Sequence, residues 1–267
     1  MAKKRLDVLI VDKGLAETRE KAQALIIAGE VTVGGRVIDK SGTAVPEESP
    51  IAVTQGLPYV SRGGLKLAHA LTAFGLDVAG ARAVDIGAST GGFTDCLLQC
   101  GALRVYAVDV GYGQLDWRLR QDPRVVVSER TNARYLASLP ETVDLATVDV
   151  SFISLTLVLP AIARLLSPNG LVVALVKPQF EARRQQVGKG GVVRDPEVHK
   201  QVLRRLLEWA QREGWAARGV TSSPLLGPAG NREFFLLLAR QSQGLDLTAV
   251  DAVVDEGKTI LPAEAGA

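Results

Sequence analysis

A doubly wound α/β sheet, preceded by a small α+β module, is the fold that this 267-residue sequence predicts. Three observations carry the prediction. From Arg82 onward, short apolar runs recur with helical stretches between them, the pattern of a buried parallel sheet. The first run passes directly into a glycine-rich turn that opens a helix. The first 60 residues follow a different rhythm, short helical stripes and a hairpin, and so form a separate unit.

In chain order, Leu6, Leu9 and Ile10 make an i, i+3, i+4 stripe that stops at Gly14. Glu17 to Ala28 repeats the pattern through Ala22, Leu25 and Ile26 and stops at Gly29. Val31-Thr-Val33 and Arg36-Val-Ile38 flank Gly34-Gly35, two residues that tolerate the positive φ of a tight hairpin. A further strand is expected at Ile51 to Thr54. The parallel strands follow at Ala83–Ile86, Val105–Asp109, Val125–Val127, Leu145–Asp149 and Leu171–Val176. Helices are expected at Gly92 to Cys100 and at Leu155 to Leu166, the second closed by Ser167-Pro168-Asn169-Gly170. An amphipathic helix starts at Asp195-Pro-Glu-Val-His-Lys, and Glu233 to Ala239 is the last strand. Residues 241–267 hold one lysine against five acids and end in small residues, a composition that predicts an acidic, mobile extension. The expected domains are therefore 1–60, 61–240 and that tail.

Composition narrows the function classes. Hydrophobic residues make up 47% and charged residues 22%, which excludes collagen-like, disordered and disulfide-scaffold chains. No apolar run approaches the roughly 18 residues of a membrane helix. The start, Met1-Ala2-Lys3-Lys4-Arg5-Leu6-Asp7, lacks the apolar stretch of a signal peptide, so a cytoplasmic protein without a membrane partner is expected. Cys96 and Cys100, four apart in an apolar helical pattern, suit small buried hydrophobes. With only His69 and His199 besides, a catalytic zinc is disfavoured and no metal is expected. Residues 1–60 balance 8 basic against 8 acidic side chains, whereas 61–240 hold 22 against 16, a mild basic bias that permits a nucleic-acid partner.

The chemistry concentrates at strand ends. Asp85-Ile-Gly87-Ala-Ser89-Thr-Gly91-Gly92-Phe93 follows the first strand, and its glycines bring backbone N–H groups close to a nucleotide-like ligand. Asp109 ends the second strand 24 residues after Asp85, where a carboxylate can accept both hydroxyls of a ribose. The spacing lacks both the strict G-x-G-x-x-G of nicotinamide enzymes and the Gly-Lys-Ser/Thr of a P-loop. S-adenosyl-L-methionine therefore fits better than NAD or ATP, with Asp85, Gly87, Ser89, Gly91, Gly92, Phe93, Asp109, Asn132 and Asp149 as candidate cofactor-binding residues. The same stretch also fits Gly87-x-Ser89-x-Gly91, with Ser89, Asp149 and His199 in the chain order of an α/β-hydrolase triad. No HGGG-like oxyanion segment precedes it, and His199 is expected to be partly exposed at a helix start, so this is the lesser reading.

Lys66, Asp149, Lys177 and Glu233 each fall at a strand end or loop leading to one sheet edge. Singly, each reads as a surface ion-pair member. Together they resemble the Lys-Asp-Lys-Glu tetrad of the FtsJ-type RNA 2′-O-ribose methyltransferases. The amino-terminal Arg5-Leu6-Asp7, Gly14-Leu15-Ala16, Thr18-Arg19-Glu20-Lys21-Ala22 and Gly29-Glu30-Val31-Thr32-Val33-Gly34-Gly35 resemble an S4 RNA-binding domain. There Arg5, Arg19 and Lys21, with Arg62 further on, are candidate phosphate contacts. The S4-like start combined with Ser61-Arg-Gly-Gly-Leu-Lys66, Asp149-Val-Ser-Phe-Ile-Ser-Leu, Val176-Lys-Pro-Gln-Phe-Glu and Gly230-Asn-Arg-Glu is similar to the TlyA family over residues 1 to about 240.

That resemblance implies a Rossmann-like S-adenosylmethionine-dependent methyltransferase domain behind an S4-like domain. It also implies ribosomal RNA or ribosomal subunits as partner and a ribose 2′-hydroxyl, of cytidine, as acceptor. Such a hydroxyl must be oriented and relieved of its proton. Lys177 is the expected proton acceptor, favoured by the second cation Lys66 and by partial burial, with Asp149 and Glu233 orienting the amines. Strong pairing with those carboxylates works in the opposite sense, and the acceptor stays open at this stage. A non-catalytic S4-type assembly factor is the alternative, and an intact tetrad argues against it. A membrane-active hemolysin would need a long amphipathic or apolar span that no stretch offers.

Overall fold

The computed structural model describes residues 3–27, 29–53, 58–240, 244, 245, 249–257, 259 and 261. The expected element ends at Ala28 and Thr54 and the segment from Pro262 onward lie outside them. The chain divides into two compact units, Met1–Gly64 and Leu65–Ala267.

In the first unit, β1 (Lys3–Arg5) runs into α1 (Leu6–Asp12), followed by α2 (Arg19–Ile27), β2 (Val31–Val33), β3 (Arg36–Val37), β4 (Ala44–Pro46) and β5 (Ile51–Val53). The helical stripes bury Leu6, Leu9, Ile10, Ala22 and Ile26 against Val31 and Val45. Gly34 and Gly35 both take positive φ, 58° and 77°, and close the β2–β3 hairpin. β2 also pairs with β5, and β1 pairs with β4. β1 and β4, three residues each, were not predicted because so short a pairing leaves no legible alternation.

Beyond α3 (Arg62–Ala73), the second unit is built on β6 (Arg82–Ile86), α4 (Gly92–Gln99), β7 (Arg104–Val108), α5 (Trp117–Gln121), β8 (Val125–Ser128), β9 (Val143–Val148), α6 (Leu159–Ile162), β10 (Leu166–Val176), α7 (Pro178–Glu181), α8 (Pro196–Arg212), β11 (Trp215–Ser222), β12 (Phe234–Arg240) and α9 (Ala249–Glu256). Its seven strands lie in the order β11-β12-β10-β9-β6-β7-β8. β6 to β10 are mutually parallel, and β12 runs antiparallel to both β10 and β11. The chain leaves β6 for β7 and β8 on one side and returns through β9 to β10 on the other. The switch point thus falls between β6 and β9, where an open α/β sheet leaves a crevice at the carboxyl ends of its strands.

Four expectations are corrected here. The helix foreseen at 155–166 is a 3₁₀ turn, Leu155–Leu157, followed by the short α6. Pro160 has no N–H to give and would press on the preceding turn, so the helix restarts with the proline in its first turn. Lys66 lies within α3 rather than on a loop; the Gly63-Gly64 pair that disguises the helix is used for close packing, since a Cβ at Gly64 would meet the Tyr59 ring carbon Cγ at 2.2 Å. The acidic tail is not a mobile extension over 249–256. There Val250, Val253 and Val254 enter the main core, while Asp251 pairs with Arg204 and Asp255 with Lys200, the latter at 2.8 Å. Charge counting missed this i, i+3, i+4 stripe, whose acids match the basic face of α8. Cys100 is exposed, contrary to expectation, and only Cys96 is buried.

Because Val253 is fully buried, Val253→Ala is expected to lower unfolding stability by about 2 kcal/mol, two methyl groups plus a residual cavity. Urea unfolding of the full chain measures it; a mobile tail would show no change.

Candidate active site

The carboxyl edge of the sheet is shaped by backbone approach. A Cβ on Gly87, which has φ 83°, would lie 2.3 Å from the carbonyl oxygen of Asp149, so only glycine lets the turn after β6 touch the start of the loop after β9. A Cβ on Gly91, at φ 95°, would collide with Leu119 and Leu115. Ser89 also takes positive φ, 49°, and its N–H donates to Asp109 Oδ2 at 2.8 Å. Gly111 N donates to Asp109 Oδ1 at 2.6 Å. A carboxylate offers about four acceptor directions, and two stay open on this half-exposed group. That is the requirement for holding a ribose diol, so the donor set fits an adenosyl cofactor.

Other predicted cofactor residues act less directly. Asp85 is fully buried, and its carboxylate accepts from Thr94 Oγ1 at 2.7 Å and Thr147 Oγ1 at 3.0 Å, tying the glycine turn to α4 and β9. Enclosed in this way it braces the turn. Burial, partly offset by those hydroxyls, pushes its pKa up to about 7. Phe93 sits in the core with its ring 6.2 Å from that of Phe235, so the position has only its backbone to offer. Gly92 is the first residue of α4, whose N-cap, Gly91, supplies no side-chain acceptor. Asn132 caps the 3₁₀ turn Ala133–Tyr135, accepting from Arg134 N at 3.1 Å.

Four charges meet at the same edge. Lys177 Nζ lies 2.6 Å from Asp149 Oδ1 and donates to Ser151 Oγ at 2.9 Å. Lys66 Nζ donates to Glu233 Oε2 at 2.5 Å in a pair almost wholly withdrawn from solvent. The two pairs are neighbours by register: Val176 on β10 faces Phe234 on β12, and the next position of that antiparallel ladder is Lys177 opposite Glu233. Glu233 Oε1 is buried and accepts no hydrogen bond in the structure. It fits only because residue 227 is glycine, where a Cβ would come within 2.0 Å of that oxygen. Gly227 and Ser151 contact this group of charges, and sequence reasoning missed both. Ser151 stood inside a quoted motif, two residues past Asp149; Gly227 had no local signal, since its neighbour is six residues away.

The hydrolase arrangement does not form. His199 is buried, not partly exposed; its Nε2 lies 3.0 Å from the carbonyl of Val193 and its ring stands edge-on to Phe234. Ser89 Oγ contacts Gln114 at 3.4 Å, and Asp149 faces Lys177.

Of the candidate RNA contacts, Arg5 and Arg19 share one partner. Asp7, fully buried, accepts from Arg5 Nε and Nη2 at 3.0 and 2.9 Å, from Arg19 Nε at 3.0 Å and from Gln23 at 2.8 Å, and the Arg5 guanidinium above all holds its carboxyl far below the usual range. Lys21 instead faces Glu17 at 3.4 Å, and Arg62 lies over Gly29.

The switch point between β6 and β9, the glycine turn, Asp109 with its two open acceptor directions and the reversed strand β12 between β10 and β11 are those of a methyltransferase of the Rossmann-like, S-adenosylmethionine-using class. Comparison with known proteins agrees. An FtsJ-like methyltransferase domain matches residues 59–240, and an S4 domain matches residues 4–51. YqxC of Bacillus subtilis is 50% identical, over 97% of this chain and 95% of its own. The 16S/23S rRNA (cytidine-2′-O)-methyltransferase TlyA of Mycobacterium tuberculosis is 48% identical, over 95% and 98%. A solved chain of Streptococcus thermophilus that carries a hemolysin name superposes with a TM-score of 0.76 at 46% identity, 96% of each chain being covered. The chain belongs to the TlyA family of FtsJ-like methyltransferases.

The Asp85 environment has a pH signature. A carboxyl raised when folded contributes stability that is full below its unfolded pKa and is lost as pH rises through the folded value. Between pH 4 and 7 the native chain should lose up to about 1.4 kcal/mol per pH unit relative to Asp85→Asn. Parallel stability curves from urea titrations at several pH values would refute the buried-carboxyl account.

Proposed function

We propose that this chain transfers the methyl group of S-adenosylmethionine to the 2′-hydroxyl of a cytidine in ribosomal RNA. The observation that carries the reading is the pairing of Lys177 with Asp149 and of Lys66 with Glu233 at one end of the β10–β12 ladder. The fold, the family and the names of the full-length relatives support it. When bound, the cofactor supplies an electrophilic sulfonium methyl. The residues assigned to hold it are the turn 87–92, through its backbone, and Asp109, through its two open acceptor directions.

The remaining work belongs to side chains of the chain. Lys177 Nζ is assigned to take the hydroxyl proton as the new C–O bond forms; Asp149 and Ser151 fix its position. With Lys177 as a free amine the four side chains carry one net negative charge, and taking up the proton returns them to neutrality, so the site's own residues never hold a large net charge. Lys66, held by Glu233, supplies the fixed positive charge beside the developing alkoxide. Arg5 and Arg19, aligned by Asp7, are assigned to RNA phosphates, and Lys21 and Arg62 to its flanks. A substrate in ribosomes places the enzyme in the cytoplasm. Among the described residues no helix is long and apolar enough to cross a membrane.

Nucleoside mass spectrometry of rRNA from cells with and without the protein tests the reaction and locates the product; an unchanged 2′-O-methylcytidine content overturns it. Two variants test the roles. Asp109→Ala is expected to weaken cofactor binding about tenfold, 1.4 kcal/mol, by calorimetry. Lys177→Ala and Lys177→Arg are both expected to lose single-turnover methyl transfer while keeping cofactor affinity, because arginine retains the charge but stays protonated. Activity in Lys177→Arg would reassign Lys177 to an electrostatic role.

A further inference from the structure

Glu181 closes α7 with a carboxylate that the tetrad does not use. The residue is 8% exposed, and both oxygens are occupied by one neighbouring segment: Oε2 accepts from Ser154 Oγ and Oε1 from Leu155 N, each at 2.7 Å. Its own carbonyl accepts from Arg205 on α8. Burial pushes its pKa upward, opposed by those two donors.

What Glu181 holds is the turn carrying half the tetrad. Asp149 and Ser151 lie five and three residues before Ser154, and Lys177 lies four residues before Glu181. The two segments are thus joined twice, by Lys177 to Asp149 and Ser151 at one end and by Glu181 to Ser154 and Leu155 at the other. Between the joints stands Phe152, with φ 63° and 90% of its surface exposed, its ring 4.9 Å from that of Phe180. A bulky residue in the left-handed region is strained and persists only where its surroundings over-determine it.

We propose that Glu181 is a positioning residue for methyl transfer, whose clamp on Ser154 and Leu155 sets the strained Asp149–Ile153 turn in register with Lys177. The inference rests on the proposed role of the tetrad. Without the clamp the turn beyond Asp149 relaxes and Ser151 shifts relative to Nζ, so the rate of the chemical step falls; the backbone of Asp149, bonded to the carbonyl of Ile86 and packed on Gly87, keeps the cofactor turn after β6 in place.

The test uses the full-length protein, with single-turnover methyl transfer to rRNA, cofactor calorimetry and the substrate concentration dependence measured together. Since a misplacement of about 1 Å can cost on the order of 100-fold, Glu181→Ala is expected to lose about 30-fold or more in rate with cofactor affinity unchanged. Glu181→Gln can still accept from Leu155 N and donate to Ser154, and should recover most of the rate; Glu181→Asp, one methylene shorter, should not. A wild-type rate in Glu181→Ala, or equal losses in Gln and Ala, overturns the inference. If Glu181→Ala does not fold, Ser154→Ala, which removes one of the two bonds, is expected to show a smaller loss of the same kind, and a wild-type rate there overturns the inference equally. Full activity in Lys177→Ala and Asp149→Ala would instead bring down the tetrad reading beneath it.

Discussion

The contact between Gly87 and the carbonyl of Asp149 is the constraint from which the rest of the second unit follows. The two strands that meet at the switch point stay bonded as far as Asp149 N and the carbonyl of Ile86, and any side chain at position 87 would wedge their loops apart. With glycine there, the turn assigned to the cofactor lies against the backbone of Asp149, the residue assigned to position Lys177. Methyl transfer needs donor and acceptor in line and nearly touching, so this approach provides part of the orientation before any substrate binds.

Around that contact the molecule uses buried carboxylates as joints. Asp85 ties the glycine turn to α4 and β9, Glu181 ties two loops, Glu233 receives Lys66, and in the first unit Asp7 gathers two arginines and a glutamine. Each joins segments distant in sequence, and each is withdrawn from water. A buried anion with good donors fixes geometry more tightly than apolar contact, because losing one donor leaves a costly unsatisfied group. The exposed ion pairs, such as Lys21 with Glu17, contribute little by comparison.

The parallel strands and the glycine turn could be read from the sequence because each is a local pattern: an apolar run, a turn chemistry. The helix at 155–166 misled because Leu155, Leu159 and Ile162 keep helical spacing across Pro160, and periodicity does not register a missing N–H. His199 misled because a histidine at a helix start is ordinarily solvated, whereas here the returning β12 covers it with Phe234. The tail misled because composition ignores order, and the order of its valines decides its packing. Within the site, the charged residues were legible as motifs. Their pairing was not, since which lysine meets which carboxylate depends on the register of an antiparallel strand some sixty residues downstream.

That register also governs how the gene can tolerate insertions and deletions. Side chains along β12 alternate between faces, so one residue gained or lost between Asn231 and Phe234 would carry Glu233 away from Lys66 while leaving the strand intact. Asn231 is itself anchored, accepting from Val193 N and donating to the carbonyl of Gly191. An insertion or deletion is therefore better tolerated before Gly227 than after it, and the five residues from Gly227 to Asn231 form a ruler between a glycine that makes room for a carboxylate and an asparagine that fixes where the chain re-enters the sheet.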